Sequence, residues 1–293
     1  MRCLTLDEVA WTAQVACILE VSADKPGNVT RYRDFADLGF EELLLSAVAI
    51  GPALREANAA PVGRTILRAI RDTQRFVATN TNLGIVLLFI PLAKAYGPGD
   101  LRKRLSEVLA SLTVDDARMA YEAIRLARPG GMGKTEQHDI HEERVDATLT
   151  EAMWEARDRD SIAREYVTDY EITFELGYPS LMECWEQSRN LIDSIVQTYL
   201  AILANVPDTL ISRKHGPAVA REVSLRAGRA MELGGVFSEH GREAVRELDI
   251  HLRREDRPLN PGTTADLTAS SIVVALLQGG LYGMFAGQCR GDD

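Results

Sequence analysis

The chain has 293 residues, 46% hydrophobic and 26% charged, which is soluble globular composition with ample length for a large core. Its 33 basic and 43 acidic side chains leave a net charge of −10 with arginines scattered among acids, which argues against nucleic acid as a partner. The cysteines, Cys3, Cys17, Cys184 and Cys289, form no C-x-x-C pair, so neither a zinc knuckle nor a disulfide framework is indicated and a reducing cytoplasm fits.

Thr5 with Glu8 three residues on is a capping box, and it opens a helix that runs through Val9, Ala13 and Cys17 to Val21. Asp7, Glu8 and Glu20 lie where a signal peptide needs a clean apolar core, so secretion is not expected. Helical spacing resumes at Phe40, Leu43, Leu44 and Ala47. Pro61 opens a helix with Ile66, Leu67, Ile70 and Phe76 on its apolar face, while Arg64, Arg68, Arg71 and Arg75 form a solvated one. The apolar run after Thr79 contains Pro91, expected to kink or end its helix. Helices are predicted over Leu101 to Leu112 and Val114 to Ala127, the second starting at Thr113.

Residues 128–145 are the longest loop-like stretch. Gly133-Lys134-Thr135 there resembles the end of a P-loop, but the first glycine and the preceding strand are missing, so a P-loop is rejected. A mobile lid with Lys134 available to a phosphate fits better. His138 and His141 lack the H-E-x-x-H spacing and read as loop histidines. Helical periodicity then runs from Ala147 to Val206, with Met153, Trp154, Ile162, Tyr166, Tyr170 and Phe174 as core or groove residues and Asp158-Arg159-Asp160 as a cap and surface pair. Helices follow over Pro217 to Leu233 and Ser238 to Arg254. No segment alternates with period two and no βαβ unit appears, so the fold is predicted all-α: a single compact multi-helix domain over residues 1–293, with apolar central helices.

The last apolar run, Ile272 to Gly287, is too short for a bilayer span and contains Gln278, so it reads as a buried helix. Gly279, Gly283 and Gly287 leave one side of it bare, for tight core packing first and a homodimer contact second.

Three polar turns abut apolar sequence: Asp24-Lys25-Pro26-Gly27-Asn28, Thr79-Asn80-Thr81-Asn82-Leu83-Gly84 and Asn260-Pro261-Gly262-Thr263-Thr264-Ala265-Asp266. A helix start attracts anions, phosphate above all. Asp266, expected in the first turn of its helix, serves either as a dipole partner or as a holder of a cation or proton. One such turn is a cap; three look like the walls of one polar pocket.

At these turns the chain resembles the triphosphoribosyl-dephospho-CoA synthase family, which serves citrate lyase and malonate decarboxylase, and the resemblance covers nearly the whole length. It implies a transferase in which the 2′-hydroxyl of 3′-dephospho-CoA attacks C1′ of the ATP ribose, adenine leaves, and Mg²⁺ accompanies the triphosphate. Lys25, Arg213 and Lys214 are then candidates for phosphate, and Asp24, Asp208 and Asp266 for base or metal ligand, with a helix cap the other reading of Asp208. Asn28, Asn80 and Asn82 would bond ribose or adenine, and Gly27, Thr81, Asn260, Gly262, Thr263 and Thr264 complete the binding walls. Citrate-lyase members read N-T-H-K-G in the second motif, where this chain has Asn82 and Leu83. The sequence looks closer to a branch of archaea and methylotrophic bacteria. An acceptor from one-carbon carrier biosynthesis, of methanopterin or methanofuran type, is the alternative; a non-catalytic helical binding protein is the second.

Overall fold

A computed structural model describes residues 3–36, 38–130, 145–254 and 258–285, with side chains up to residue 279. The expected lid, Lys134, His138, His141, Gly287 and Cys289 lie outside the described residues.

The fold is all-α. The helices run α1 (Leu6–Ser22), α2 (Phe40–Ala49), α3 (Gly51–Glu56), α4 (Val62–Thr73), α5 (Leu83–Ala95), α6 (Leu101–Ala110), α7 (Val114–Ala127) and α8 (Leu149–Ala156). They continue with α9 (Ser161–Val167), α10 (Tyr178–Ser188), α11 (Leu191–Asn205), α12 (Thr209–His215), α13 (Pro217–Glu232), α14 (Glu239–Leu252) and α15 (Gly262–Phe285). Among the described residues β-structure is confined to two isolated bridges, Thr30–Arg33 and Phe35–Leu38. None of the described helices is long and apolar enough to cross a membrane.

α15 is the hub. It touches α1, α5, α9, α10, α11, α12 and the π-helical stretch Ile172–Gly177. Its residues Leu267 to Leu277 are all buried, which is why the run is apolar on every side. Thr268 and Ser271 sit in that core by donating to the carbonyls of Thr264 and Leu267. The bare side expected at Gly279 faces open space, with nothing within 4 Å of a Cβ placed there. Capping boxes start α1 at Thr5, α7 at Thr113 and α8 at Thr148.

Four expectations change. Pro91 lies inside α5, which continues to Ala95. A proline has no N–H for the carbonyl four residues back, and the hydroxyl of Tyr166 donates to that carbonyl, Leu87, at 2.7 Å. Phe76 falls beyond the end of α4 and is exposed, with Val77 buried instead. Trp154 is also exposed, under the guanidinium of Arg157 at 3.8 Å, and Met153 takes the inward place. The span from 147 to 206 is broken three times: at 157–160, where Asp158-Arg159-Asp160 were expected to interrupt it; where Asp169 and Tyr170 adopt φ of 51° and 57° before the π-helical stretch; and at Arg189-Asn190 between α10 and α11. The arginine row on α4 is solvated as expected, with Arg68, Arg71 and Arg75 in surface ion pairs.

Candidate active site

The three polar turns line one cavity of about 890 Å³. The turn after α1 is tied to the turn before α15 by Asn28 Nδ2, which donates to Asn260 Oδ1 at 2.9 Å. Gly27, at φ 76°, packs this joint: its N–H donates to Asp249 Oδ1, and a Cβ would meet Leu252 at 2.7 Å and Pro261 at 3.0 Å. Its work is structural. The middle turn contributes the start of α5, where Asn80 Oδ1 accepts the N–H of Leu83. Asn82 is buried and looks inward, donating to Thr73 Oγ1 at 3.0 Å and the Ser46 carbonyl at 3.4 Å. Thr81 and Ser46 share a hydroxyl contact of 2.5 Å.

Asp266 comes one residue later than expected, since α15 begins at Gly262 and its first turn holds no acid. The capping task falls to Asp208, a residue from another part of the chain. Asp208 Oδ2 accepts from Thr264 N at 2.7 Å and Thr264 Oγ1 at 2.8 Å, while Oδ1 accepts from Ile211 N. Thr209 Oγ1 donates to Thr263 Oγ1 beside it. With the helix start satisfied by Asp208, Asp266 is free for something else. Its half-buried carboxyl lines the cavity, lies against the bare backbone of Gly84, and receives no hydrogen bond from any described residue. A Cβ on Gly84 would stand 2.0 Å from Oδ2, so only glycine leaves room. Burial raises the Asp266 pKa well above the usual carboxylate range, and the charges of Glu20, Asp208 and Asp160 add to that against Arg213.

Other candidates are placed differently from expectation. Asp24 is exposed and off the cavity wall, so the structure gives it no part as base or metal ligand. Asp208 is 1% exposed, and both its oxygens are taken by the joint it makes. Lys25 does line the cavity, but it is 1% exposed and its ammonium is fully occupied by its own chain. It reaches Glu20 Oε1 at 3.0 Å, the Ala23 carbonyl at 3.1 Å and the Glu20 carbonyl, which leaves no donor for a phosphate. Arg213 lines the cavity and pairs with Asp160, the N-cap of α9; Lys214 is exposed at the rim, with no ion partner among the described residues.

Among the described residues no three His, Cys, Asp or Glu side chains are grouped to hold a metal ion. With Asp24 turned away and Asp208 saturated, Asp266 alone remains of the expected set, which does not make a resident Mg²⁺ site.

Glu20, Asp160, Arg128 and Arg159 also line the cavity and were not singled out from the sequence. Glu20 carried a signal: it continues the spacing Ala13, Ala16 and Cys17 on the buried face of α1. Asp160 carried another, as a cap residue just before a helix.

The profile of the family described as ATP:dephospho-CoA triphosphoribosyl transferase matches residues 6–283. The chain belongs to this family. A protein of Lactiplantibacillus plantarum (strain ATCC BAA-793 / NCIMB 8826 / WCFS1), named a probable 2-(5″-triphosphoribosyl)-3′-dephosphocoenzyme-A synthase, is 34% identical over 108 residues; the match spans 35% of this chain and 38% of that protein. A solved structure from Archaeoglobus fulgidus, described as a candidate triphosphoribosyl-dephospho-CoA synthase, superposes with a TM-score of 0.65 at 30% identity and covers 80% of this chain and 99% of that one. The three polar turns, on which the resemblance rested, all lie within the matched region.

Proposed function

We propose that the cavity transfers the triphosphoribosyl group of ATP to the 2′-hydroxyl of 3′-dephospho-CoA, with release of adenine. The observation that carries this reading is the polarity of the one cavity where the three turns meet. Its floor holds Glu20 and the Asp266 carboxyl, which no described residue bonds, and its lining includes Arg128, Arg159, Arg213 and Lys214. Leu43, Leu83, Ile124, Leu149, Met153 and Ile162 give it an apolar wall. A volume near 890 Å³ lies in the upper part of the range for small-molecule sites.

Each part has a task in the reaction. The cations hold the triphosphate, as guanidinium and ammonium groups do with phosphate oxygens. Mg²⁺ enters with the nucleotide as MgATP, the phosphates being its ligands. The apolar wall takes the uncharged parts of the two substrates and keeps water from the ribose. Asp266 takes the proton of the attacking hydroxyl. A raised pKa suits a general base, because it brings the proton-accepting strength closer to the working pH. The C1′–N9 bond breaks with its electron pair leaving on adenine, which takes up a proton through solvent to balance the one held by Asp266, and the acceptor oxygen forms the new C1′–O bond.

A purely structural role for the turns accounts for Asp208 and Gly27 but leaves a donorless acid in the cavity wall. The test is incubation with MgATP and 3′-dephospho-CoA, followed by mass spectrometry of free adenine and adduct. Equimolar adenine and triphosphoribosyl adduct are expected. ATP binding without adenine release removes the acceptor assignment, and one-carbon carrier precursors come next.

A further inference from the structure

We propose that Glu20 is the carboxylate facing the positive charge that develops on the ribose, and that Lys25 positions it; this rests on the ribosyl-transfer reading above. Glu20 occupies an unfavourable place for an acid. It sits in the last turn of α1, at the negative end of the helix dipole, and its side chain is only 10% exposed. Yet it lines the cavity. Lys25 makes that position tenable. All of its donors close on Glu20 Oε1, the Glu20 carbonyl and the Ala23 carbonyl, so a buried cation is used to hold one carboxylate in one orientation.

Lys25 is the donor that Glu20 has; two further groups at this end of the cavity are acceptors. Asp266 stands near it with no hydrogen bond from a described residue, and Asn28, 6% exposed, has its Oδ1 buried without a partner among the described residues while its amide N–H bonds Asn260. The cavity lining also brings in Arg128, Arg159, Arg213 and Lys214. Two carboxylates and a buried amide oxygen in a cavity that also carries cations fit a ligand with a polyanion on one part and an electron-poor centre on another. ATP in its ground state has no positive charge to set on that floor. Its ribose acquires one on C1′ and O4′ as the bond to adenine lengthens. A fixed carboxylate there stabilises the transition state more than the ground state, which is the condition for faster chemistry. Glu20 forms no bond; the electron pair of C1′–N9 leaves with adenine, which takes up a proton through solvent, and the hydroxyl proton goes to Asp266.

The decisive variant is Glu20→Gln, which keeps the size and an acceptor for Lys25 and removes the charge. Adenine release is expected to fall about 100-fold or more, with the Kd for ATP by calorimetry changed less than about threefold. The paired measurement needs no turnover. A 1,4-imino-ribitol 5-triphosphate, protonated at its ring nitrogen, is expected to bind the wild-type protein about 100-fold tighter than ribose 5-triphosphate, and that ratio should collapse in Glu20→Gln. A ratio that survives the substitution overturns the role of Glu20, even if adenine release is confirmed. Wild-type protein that releases no adenine overturns the ribosyl-transfer reading instead. Should Glu20→Gln lack a cooperative melting transition, Glu20→Asp withdraws the same charge by one methylene, and an unchanged ratio there is equally fatal. Lys25→Gln separates the two readings of the lysine. A positioning residue lowers kcat about tenfold or more and leaves the Kd for ATP in place, whereas a phosphate ligand weakens Kd and spares kcat.

Discussion

Acids meet α15 at two levels, and they are bonded differently. Near its middle, Glu165 is 0% exposed and accepts the N–H groups of Ile172 at 2.8 Å and Thr173 at 2.9 Å. Thr173 Oγ1 in turn donates to Ser270 Oγ on α15. The π-helical stretch and the left-handed Asp169 and Tyr170 bring those two N–H groups to the carboxylate. Near the start of α15, Asp266 has no donor at all among the described residues. Burial raises the pKa of both acids, so burial does not tell them apart. The donors do: an acid whose oxygens are filled holds structure, and one whose oxygens are empty in a cavity wall is available for chemistry. Asp208 belongs with Glu165.

The largest expected effect tests the empty acid. Asp266→Asn should lower adenine release by about three orders of magnitude, the scale of a lost general base. Stability should hold or rise, because a carboxyl crowded by Glu20, Asp208 and Asp160 is replaced by a neutral group. Turnover within about tenfold of wild type removes Asp266 from the mechanism. The filled acid should behave in the opposite way. Asp208→Ala strands the N–H and hydroxyl of Thr264 and the N–H of Ile211, and should destabilise the fold by about 3 kcal/mol. Urea unfolding measures that loss. A variant as stable as wild type breaks the contrast between the two aspartates.

What the sequence made legible follows the range of the interactions. The all-α fold, the capping boxes at Thr5 and Thr113 and the burial of α15 are written in local spacing, and each was readable. The meeting of the three turns was readable too, because small polar residues with Pro or Gly beside apolar runs have few other uses. Asp208 is a helix cap, one of its two expected readings, and it caps α12 through the nearby Ile211 N–H; its second partner, Thr264, lies 56 residues away, and nothing near Asp208 records that joint. The setting of Lys25 was hidden for the opposite reason. Its partners, Glu20 and Ala23, are close in sequence, but a lysine beside Pro-Gly looks solvent-facing until α1 is seen to end against the cavity. The π-helical stretch at 172–177 replaced an expected regular helix, since its geometry is imposed by Glu165 and the packing of Tyr166 and Tyr170 on α5.

The next effect is one of pH, and it reads the filled acid at Glu165. Burial raises its carboxyl from 4.5 to about 7, more strongly than the bonds from Thr173 and Ile172 lower it. The folded state therefore binds a proton more tightly than the unfolded state. Its contribution is fully present below pH 4.5 and is lost as pH rises toward 7, up to about 3 kcal/mol in all. Glu165→Gln should flatten that part of the stability–pH curve while lowering the whole curve, because an amide NH₂ now faces one of the two backbone N–H groups. A slope unchanged between pH 4.5 and 7 would show that Glu165 keeps its charge in the folded protein.

The smallest effect extends the contrast from acids to a carbonyl. Pro91 deprives Leu87 of its helical donor, and Tyr166 supplies one from α9. Tyr170 adds a second tie, to the Leu88 carbonyl at 3.0 Å. Tyr166→Phe keeps the ring and its packing and leaves one buried acceptor unmet, a loss of about 1–2 kcal/mol. For a chain of this size the melting temperature should fall by a few degrees, roughly 2–4 °C per kcal/mol. The same α5 carries Asn82, Leu83 and Gly84 into the cavity, so the variant also asks whether the far end of the helix senses the lost bond. If the bond serves only the proline, ATP affinity and adenine release stay at wild-type values while melting falls. Should activity fall in step with melting, the start of α5 depends on the tie at its middle, and the donor that replaces a proline's missing N–H also holds Gly84 against Asp266.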